Sequence, residues 1–194
     1  MDTLTPRRSF GRHRTCDTAY TFRMGAGFPG DVNRGHPASI NPCLMYASGP
    51  ITAFGAPVIA DSSSNNGVRA WLSSDSALTN IFGVSVRPYP YQQSTTSQSY
   101  GGVPYDSTTA STPATLQPID VLTAGYIFVK VCTLYGSPYK GGPVFIYTTT
   151  TGGGHTLGGF EGATGANVAS LDTGRYKWNS PVDSNGIAEL MITL

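Results

Sequence analysis

Apolar and polar residues alternate with a period of two in short segments from Tyr20 to Leu194, and Gly, Pro, Asn or Ser cuts each segment off. That period places successive side chains on opposite faces of an extended strand, whereas a helix needs apolar residues recurring at three and four. No stretch of ten or more residues carries the helical period. Such a chain can hide its apolar side chains only inside or between sheets. With 24 Gly and 14 Pro in 194 residues, it has ample turn formers and enough length for one β core. The predicted fold is all-β: a small antiparallel β-barrel or jelly-roll-like sandwich over residues 20–194. An extended N-terminal arm (1–19) precedes it, and a long Ser/Thr-rich loop (92–117) interrupts it.

Several strands can be placed. Tyr20–Met24 reads as the first. From Gly25 to Pro50, Pro29, Pro37, Pro42 and Pro50 limit any regular element to a few residues. Pro57–Ala60 and Val68–Leu72 read as strands flanking a turn that contains Asn66-Gly67. Val68, Ala70 and Leu72 fall on one face, and Arg69 and Trp71 on the other. In the strand Asn80–Arg87, the spacing puts Phe82, Val84 and Val86 together and Arg87 opposite. Residues 92–117 hold too few aliphatics to fold alone, so they read as a surface loop or a partner-contact loop. Tyr126–Cys132 sets Ile127, Val129 and Val131 against Tyr126, Phe128 and Lys130. Gly142–Thr148, Arg175–Trp178 and a last strand after Asn185-Gly186 follow, the last with Ala188, Leu190, Ile192 and Leu194 on one face.

Chemistry is sparse. Charged residues make up 12% of the chain and its formal net charge is +1, which argues against a nucleic-acid binder built on a basic face. Cys16, Cys43 and Cys132 cannot all pair, and their spacing resembles no disulfide framework, which points to a reducing compartment. The opening residues have no apolar segment behind their arginines, so they do not read as a secretory signal, and no run approaches a membrane span.

Gly25-Ala26-Gly27-Phe28-Pro29-Gly30 matches G-x-G-x-x-G, but Pro29 and the residues to Pro37 offer no helix for a phosphate to cap. These are expected to be turn glycines beside a strand. His13 and Cys16 make one short ligand pair, fewer than a structural zinc needs. Cys43 and Cys132 read as small buried hydrophobes, and His155, in a Thr/Gly loop, as a solvated side chain. No metal, cofactor or catalytic residue is expected, and the chain is not expected to be an enzyme. Arg7, Arg8, Arg12 and Arg14 cluster on the arm, which extended could reach roughly 60 Å across a neighbouring subunit. Contact with nucleic acid or a tail without a partner are the competing readings of the arm.

Three runs occur in a telling order: Phe28-Pro29-Gly30-Asp31-Val32-Asn33-Arg34, then Phe54-Gly55-Ala56-Pro57-Val58, then Phe82-Gly83-Val84-Ser85-Val86-Arg87. With Leu122–Val129, Gly142–Ile146 and Asn185–Glu189 they resemble the structural cement proteins of tailed-bacteriophage capsids. In that family a P-G-x-x-x-R-like segment precedes a G-x-P-V strand and a G-[IV]-x-V-R strand. The resemblance spans about residues 22–194, apart from the long loop.

It implies a non-enzymatic virion protein, made in the bacterial cytoplasm, that decorates the outer capsid surface and bridges neighbouring major capsid proteins. Copies of the protein would meet as dimers or trimers on the shell, with no direct nucleic-acid or membrane contact. Arg34 and Arg87, which end two of the motifs, join Arg7, Arg8, Arg12 and Arg14 as candidate capsid-binding residues. The alternative is a carbohydrate- or receptor-binding β module of a phage tail, with Tyr and Trp as sugar platforms. An enzyme with a dispersed site comes third.

Overall fold

The computed structural model describes residues 27–33, 38–46, 49–51, 53–61, 67–75, 81–87, 118–171 and 174–193. The arm, Tyr20–Met24, Arg34, Asn66, the 92–117 loop and Leu194 lie outside them. Among the described residues there is no helix. Ten strands run in chain order: β1 (Ser39–Met45), β2 (Pro57–Ala60), β3 (Gly67–Ala70), β4 (Ile81–Ser85), β5 (Pro118–Cys132), β6 (Phe145–Tyr147), β7 (Phe160–Glu161), β8 (Val168–Ser170), β9 (Tyr176–Trp178) and β10 (Ile187–Ile192).

Five strands close a barrel in the order β1-β3-β2-β4-β5 and back to β1. The β1–β3 pair is parallel and the other four are antiparallel. Closure leaves no unpaired barrel edge. The interior is filled by Cys43, Met45, Ile51, Val58, Val68, Ile119 and Val121.

β5 does not stop at the barrel wall. Its first half, to Ala124, pairs with β1 and β4. From Gly125, whose φ is +129°, it continues along β10 and then beside β7. β9 extends the sheet beyond β10, and β6 and β8 extend it beyond β7. The second core lies between this sheet and the outer face of the barrel. Ile59, Trp71, Ile81, Val84, Val86 and Leu122 come from the barrel side; Ile127, Val129, Val131, Ile146, Phe160, Trp178 and Leu190 come from the sheet. Adjacent residues of single strands thus serve different cores: Val58 and Ile59 of β2, and Val121 and Leu122 of β5.

Three expectations need correction. The proline-rich stretch holds a seven-residue strand, β1, with Pro42 inside it. Asp120, opposite Pro42, turns its carbonyl to Val86 N–H just past β4 (2.8 Å), so the Pro42–Asp120 pair is not one that exchanges backbone hydrogen bonds. Pairing of β1 with β3 begins only at Leu44, so the missing N–H costs no ladder bond on that side either.

Phe82 does not share a face with Val84 and Val86. Val58 pairs with Gly83 and Ile59 with Ile81, so Phe82 is the extra residue of a bulge and the alternation changes phase there. Phe82 packs on the barrel core while Ile81, Val84 and Val86 enter the second core. Arg175 donates to the carbonyl of Phe82 (3.3 Å) and to that of Thr123 (2.9 Å), tying the bulge to β5.

Finally, β5 begins at Pro118, well before Tyr126, because Ile119, Val121 and Leu122 are buried barrel residues. The alternation expected for Tyr126–Cys132 holds, with Ile127, Val129 and Val131 buried. Val68 and Trp71 face different cores as expected, although the strand ends at Ala70 and Leu72 opens a turn closed by Asp75.

Candidate functional site

The three runs that open the family resemblance converge at one place. Phe28-Pro29-Gly30-Asp31 forms a turn in which Asp31 N–H donates to Phe28 O (3.0 Å) and the Asp31 carboxylate accepts from Phe28 N–H (3.1 Å). The chain then lies along the edge of β5 opposite β10. Gly30 N–H donates to Phe128 O, Phe128 N–H to Asp31 O, and Asn33 N–H to Tyr126 O. The G-x-G-x-x-G segment therefore ends in a strand-side turn, as the sequence predicts.

A second turn, Phe54-Gly55, dovetails with the first. A Cβ on Gly30 would sit 2.7 Å from Phe54 Cβ, and one on Gly55 would sit 2.8 Å from Gly30 N, so both turns require glycine. Both residues also have positive φ, +89° and +74°.

Ser85, fully buried, holds the second turn to β4. Its hydroxyl accepts from Ala56 N–H (3.1 Å) and lies within donating distance of Ala53 O and Ala56 O. Arg87 completes the cluster. Its guanidinium lies 4.9 Å from the Phe28 ring centre and 6.0 Å from that of Phe54, with Nε 3.9 Å from the Asp31 carboxylate. At 16% exposure, this side chain braces both turns.

A polar cluster with no signal in the sequence lies at the far end of β5. Parallel pairing sets Glu161 of β7 opposite Cys132. The hairpin-like bridge between Gly152 and His155 turns the imidazole inward. His155 is buried rather than solvated and is sandwiched between Tyr135 and Tyr147, at 4.8 and 4.7 Å between ring centres. Its Nδ1 lies 2.8 Å from Glu161 Oε1 and 3.5 Å from Cys132 Sγ. Glu161 is wholly buried, and its Oε2 has no hydrogen-bond partner. Burial pushes the Cys132 thiol up, and the Glu161 carboxylate adds to that. Next to the cluster a cleft of about 280 Å³ opens between Trp71 and the Gly154–Phe160 loop, with Cys132 and Gly154 on its wall. Lys130 is its one charged lining residue among those described, so it has few groups to orient a ligand.

Comparison with known proteins decides the class. The family model described as structural cement protein (E217 gp24/Pam3 gp6) matches residues 16–193. The chain belongs to the phage structural cement family. A solved structure, the capsid of Myoviridae phage XM1, contains a chain of similar fold. The TM-score is 0.60 at 15% identity, over 90% of this chain and 95% of that one. No curated protein matches by sequence.

For a cement protein, the surface matters more than any pocket. Two sets of exposed apolar side chains stand at opposite ends of β5. On the outer face of β1, Ile40 (43% exposed), Pro42 and Leu44 (46%) alternate with inward residues. They lie opposite Leu122, Asp120 and Pro118 of β5. In the loop that leaves β5, Leu134 (61%), Tyr135 (40%) and Tyr139 (65%) are exposed. Of the predicted capsid-binding residues, Arg87 alone is described. Arg7, Arg8, Arg12, Arg14 and Arg34 lie outside the described residues.

Proposed function

We propose that this cement protein decorates the outer surface of a tailed-phage capsid and bridges neighbouring major capsid proteins through the two apolar surfaces at the ends of β5. What carries the reading is their placement beside the two ends of one strand. Fifteen residues of strand extend up to about 45–50 Å, so two contact surfaces are held apart by a continuous, hydrogen-bonded element. A protein that only coats a shell needs one such surface; one that bridges needs two. Arm arginines Arg7, Arg8, Arg12 and Arg14, with Arg34, supply further anchoring. Neighbouring copies meeting as dimers or trimers strengthen weak contacts through effective concentration. Arg87, with its charge engaged within the chain, serves attachment by fixing the turn that precedes Arg34.

The test mixes purified protein with undecorated capsids and measures both pelleting and capsid heat resistance. Ile40→Glu with Leu44→Glu disables the barrel surface, and Leu134→Ser with Tyr139→Ser disables the loop surface. These exposed positions should leave folding nearly unchanged, within about 0.5 kcal/mol each. Each pair alone should leave partial pelleting but remove the gain in heat resistance, and both together should cut pelleting to the remainder that the arm alone supports. Full heat resistance with either surface disabled would refute bridging. Full pelleting of the combined variant would refute these surfaces.

A further inference from the structure

We infer that Cys132, His155 and Glu161 form a binding site for one divalent transition-metal ion, with zinc as the expected occupant. The three donor atoms lie within 4.8 Å of one another. Ligand bonds of about 2.3 Å to sulfur and 2.0–2.1 Å to nitrogen put a tetrahedral sulfur–nitrogen pair roughly 3.5 Å apart, and Cys132 Sγ to His155 Nδ1 is 3.5 Å. The donor set of thiolate, imidazole and carboxylate suits zinc over the harder magnesium or calcium.

Charge makes an independent argument. Glu161 is fully buried, with one oxygen on His155 and the other without a hydrogen-bond partner. A buried carboxyl oxygen without a partner is costly to leave, and a cation would relieve that cost. A dication with one thiolate and one carboxylate gives a neutral site and uses the unpartnered oxygen.

Without metal, the geometry fits an N–H on His155 Nδ1 donating to Glu161, while the Cys132 thiol lies 3.8 Å from Gly154 O. On binding, the thiol proton passes to solvent and the imidazole proton resides on Nε2, freeing Sγ and Nδ1 as donors. Three protein ligands leave the fourth position to water. The adjoining cleft, with Cys132 on its wall, gives the ion a way in. Because Tyr135 stacks on His155, occupancy would also fix that exposed ring in place.

The full-length protein, stripped by chelator, should be titrated with cobalt(II) and then zinc(II). One equivalent of cobalt should give a thiolate charge-transfer band with tetrahedral visible bands, and zinc should displace it. Cys132→Ser should abolish the charge-transfer band, and Glu161→Gln should weaken binding by at least tenfold. Cys16→Ser and Cys43→Ser should leave both unchanged. A second readout uses only the natural sequence: saturating zinc should slow alkylation of Cys132, followed by peptide mass spectrometry, at least tenfold, while Cys43 is unaffected. Absence of the band, its survival in Cys132→Ser, or an unchanged alkylation rate of Cys132 would overturn the assignment.

Discussion

Replacing Gly30 by Ala tests whether the two interlocked turns are as tightly fitted as their geometry requires. The backbone there has φ +89°, and the added methyl would lie 2.7 Å from Phe54 Cβ and 2.9 Å from Arg87 N. Neither neighbour is the far end of a movable side chain, so relief requires a backbone shift. Gly141 supplies the control, because its φ is +80° and a Cβ there would meet nothing within 4 Å.

The conformational cost of a left-handed L-residue is about 1–2 kcal/mol. Reduced freedom of the unfolded chain returns about 0.4–1 kcal/mol. Gly141→Ala should therefore cost about 0–1.6 kcal/mol. Gly30→Ala adds an overpacking cost of about 1–3 kcal/mol, for a total of about 1–4.6 kcal/mol. In a domain of this size that lowers Tm by roughly 2–18 °C. Urea unfolding at fixed temperature, followed by far-UV circular dichroism, compares the two variants directly. If they lose the same stability within about 0.5 kcal/mol, a typical uncertainty of such differences, the close fit of the turns is refuted.

Ser85→Ala should cost about 1–3 kcal/mol by leaving the Ala56 N–H without its buried acceptor, measured the same way. A cost near zero would mean that another acceptor takes its place. Asp75 accepts two 2.7 Å bonds from Arg69 and one from Leu72 N–H, and the Arg69 hydrogen bonds hold its carboxyl below the usual range. With a depressed folded pKa, the stabilisation is fully present above the ordinary carboxylate value near 4 and is lost as pH falls through the folded value. Asp75→Asn should thus cost about 1.5–3 kcal/mol at pH 7, and the gap to wild type should close in acid; a gap constant down to pH 2 would disprove it. Removing residues 1–18 should leave the melting temperature unchanged and weaken pelleting with capsids, with the difference narrowing as salt screens the arginines. Equal occupancy across a salt series would exclude an anchoring arm.

The strands that could be read from sequence are those whose alternation is governed by a single core. The second half of β5 is the example, with Ile127, Val129 and Val131 all in one core, and the turn residues of the family motifs were legible because turns depend on local chemistry. β1 was hidden because Pro42 blocks a strand only where its N–H is needed, and that depends on which neighbours are present. The Phe82 bulge was hidden because a phase change arises from pairing with β2. His155 was misread for the same reason. Its neighbours in sequence are Gly and Thr, but its neighbours in space are Tyr135, Tyr147, Cys132 and Glu161. Only the parallel alignment of β7 on β5 brings the acid to the thiol.

The continuity of β5 through both halves of the molecule has a mechanical consequence. Hydrogen bonds in a sheet run across the strands, so a pull along β5 loads them sideways. Tension between the two ends is carried by covalent backbone from Pro118 to Cys132, while β1, β4 and β10 grip it from the flanks. Sliding β5 out would require those lateral bonds to fail together, whereas peeling an edge strand breaks them one after another. On the bridging role proposed above, a shell that swells would meet in this protein a tie-rod, stiff along its length and gripped along both sides.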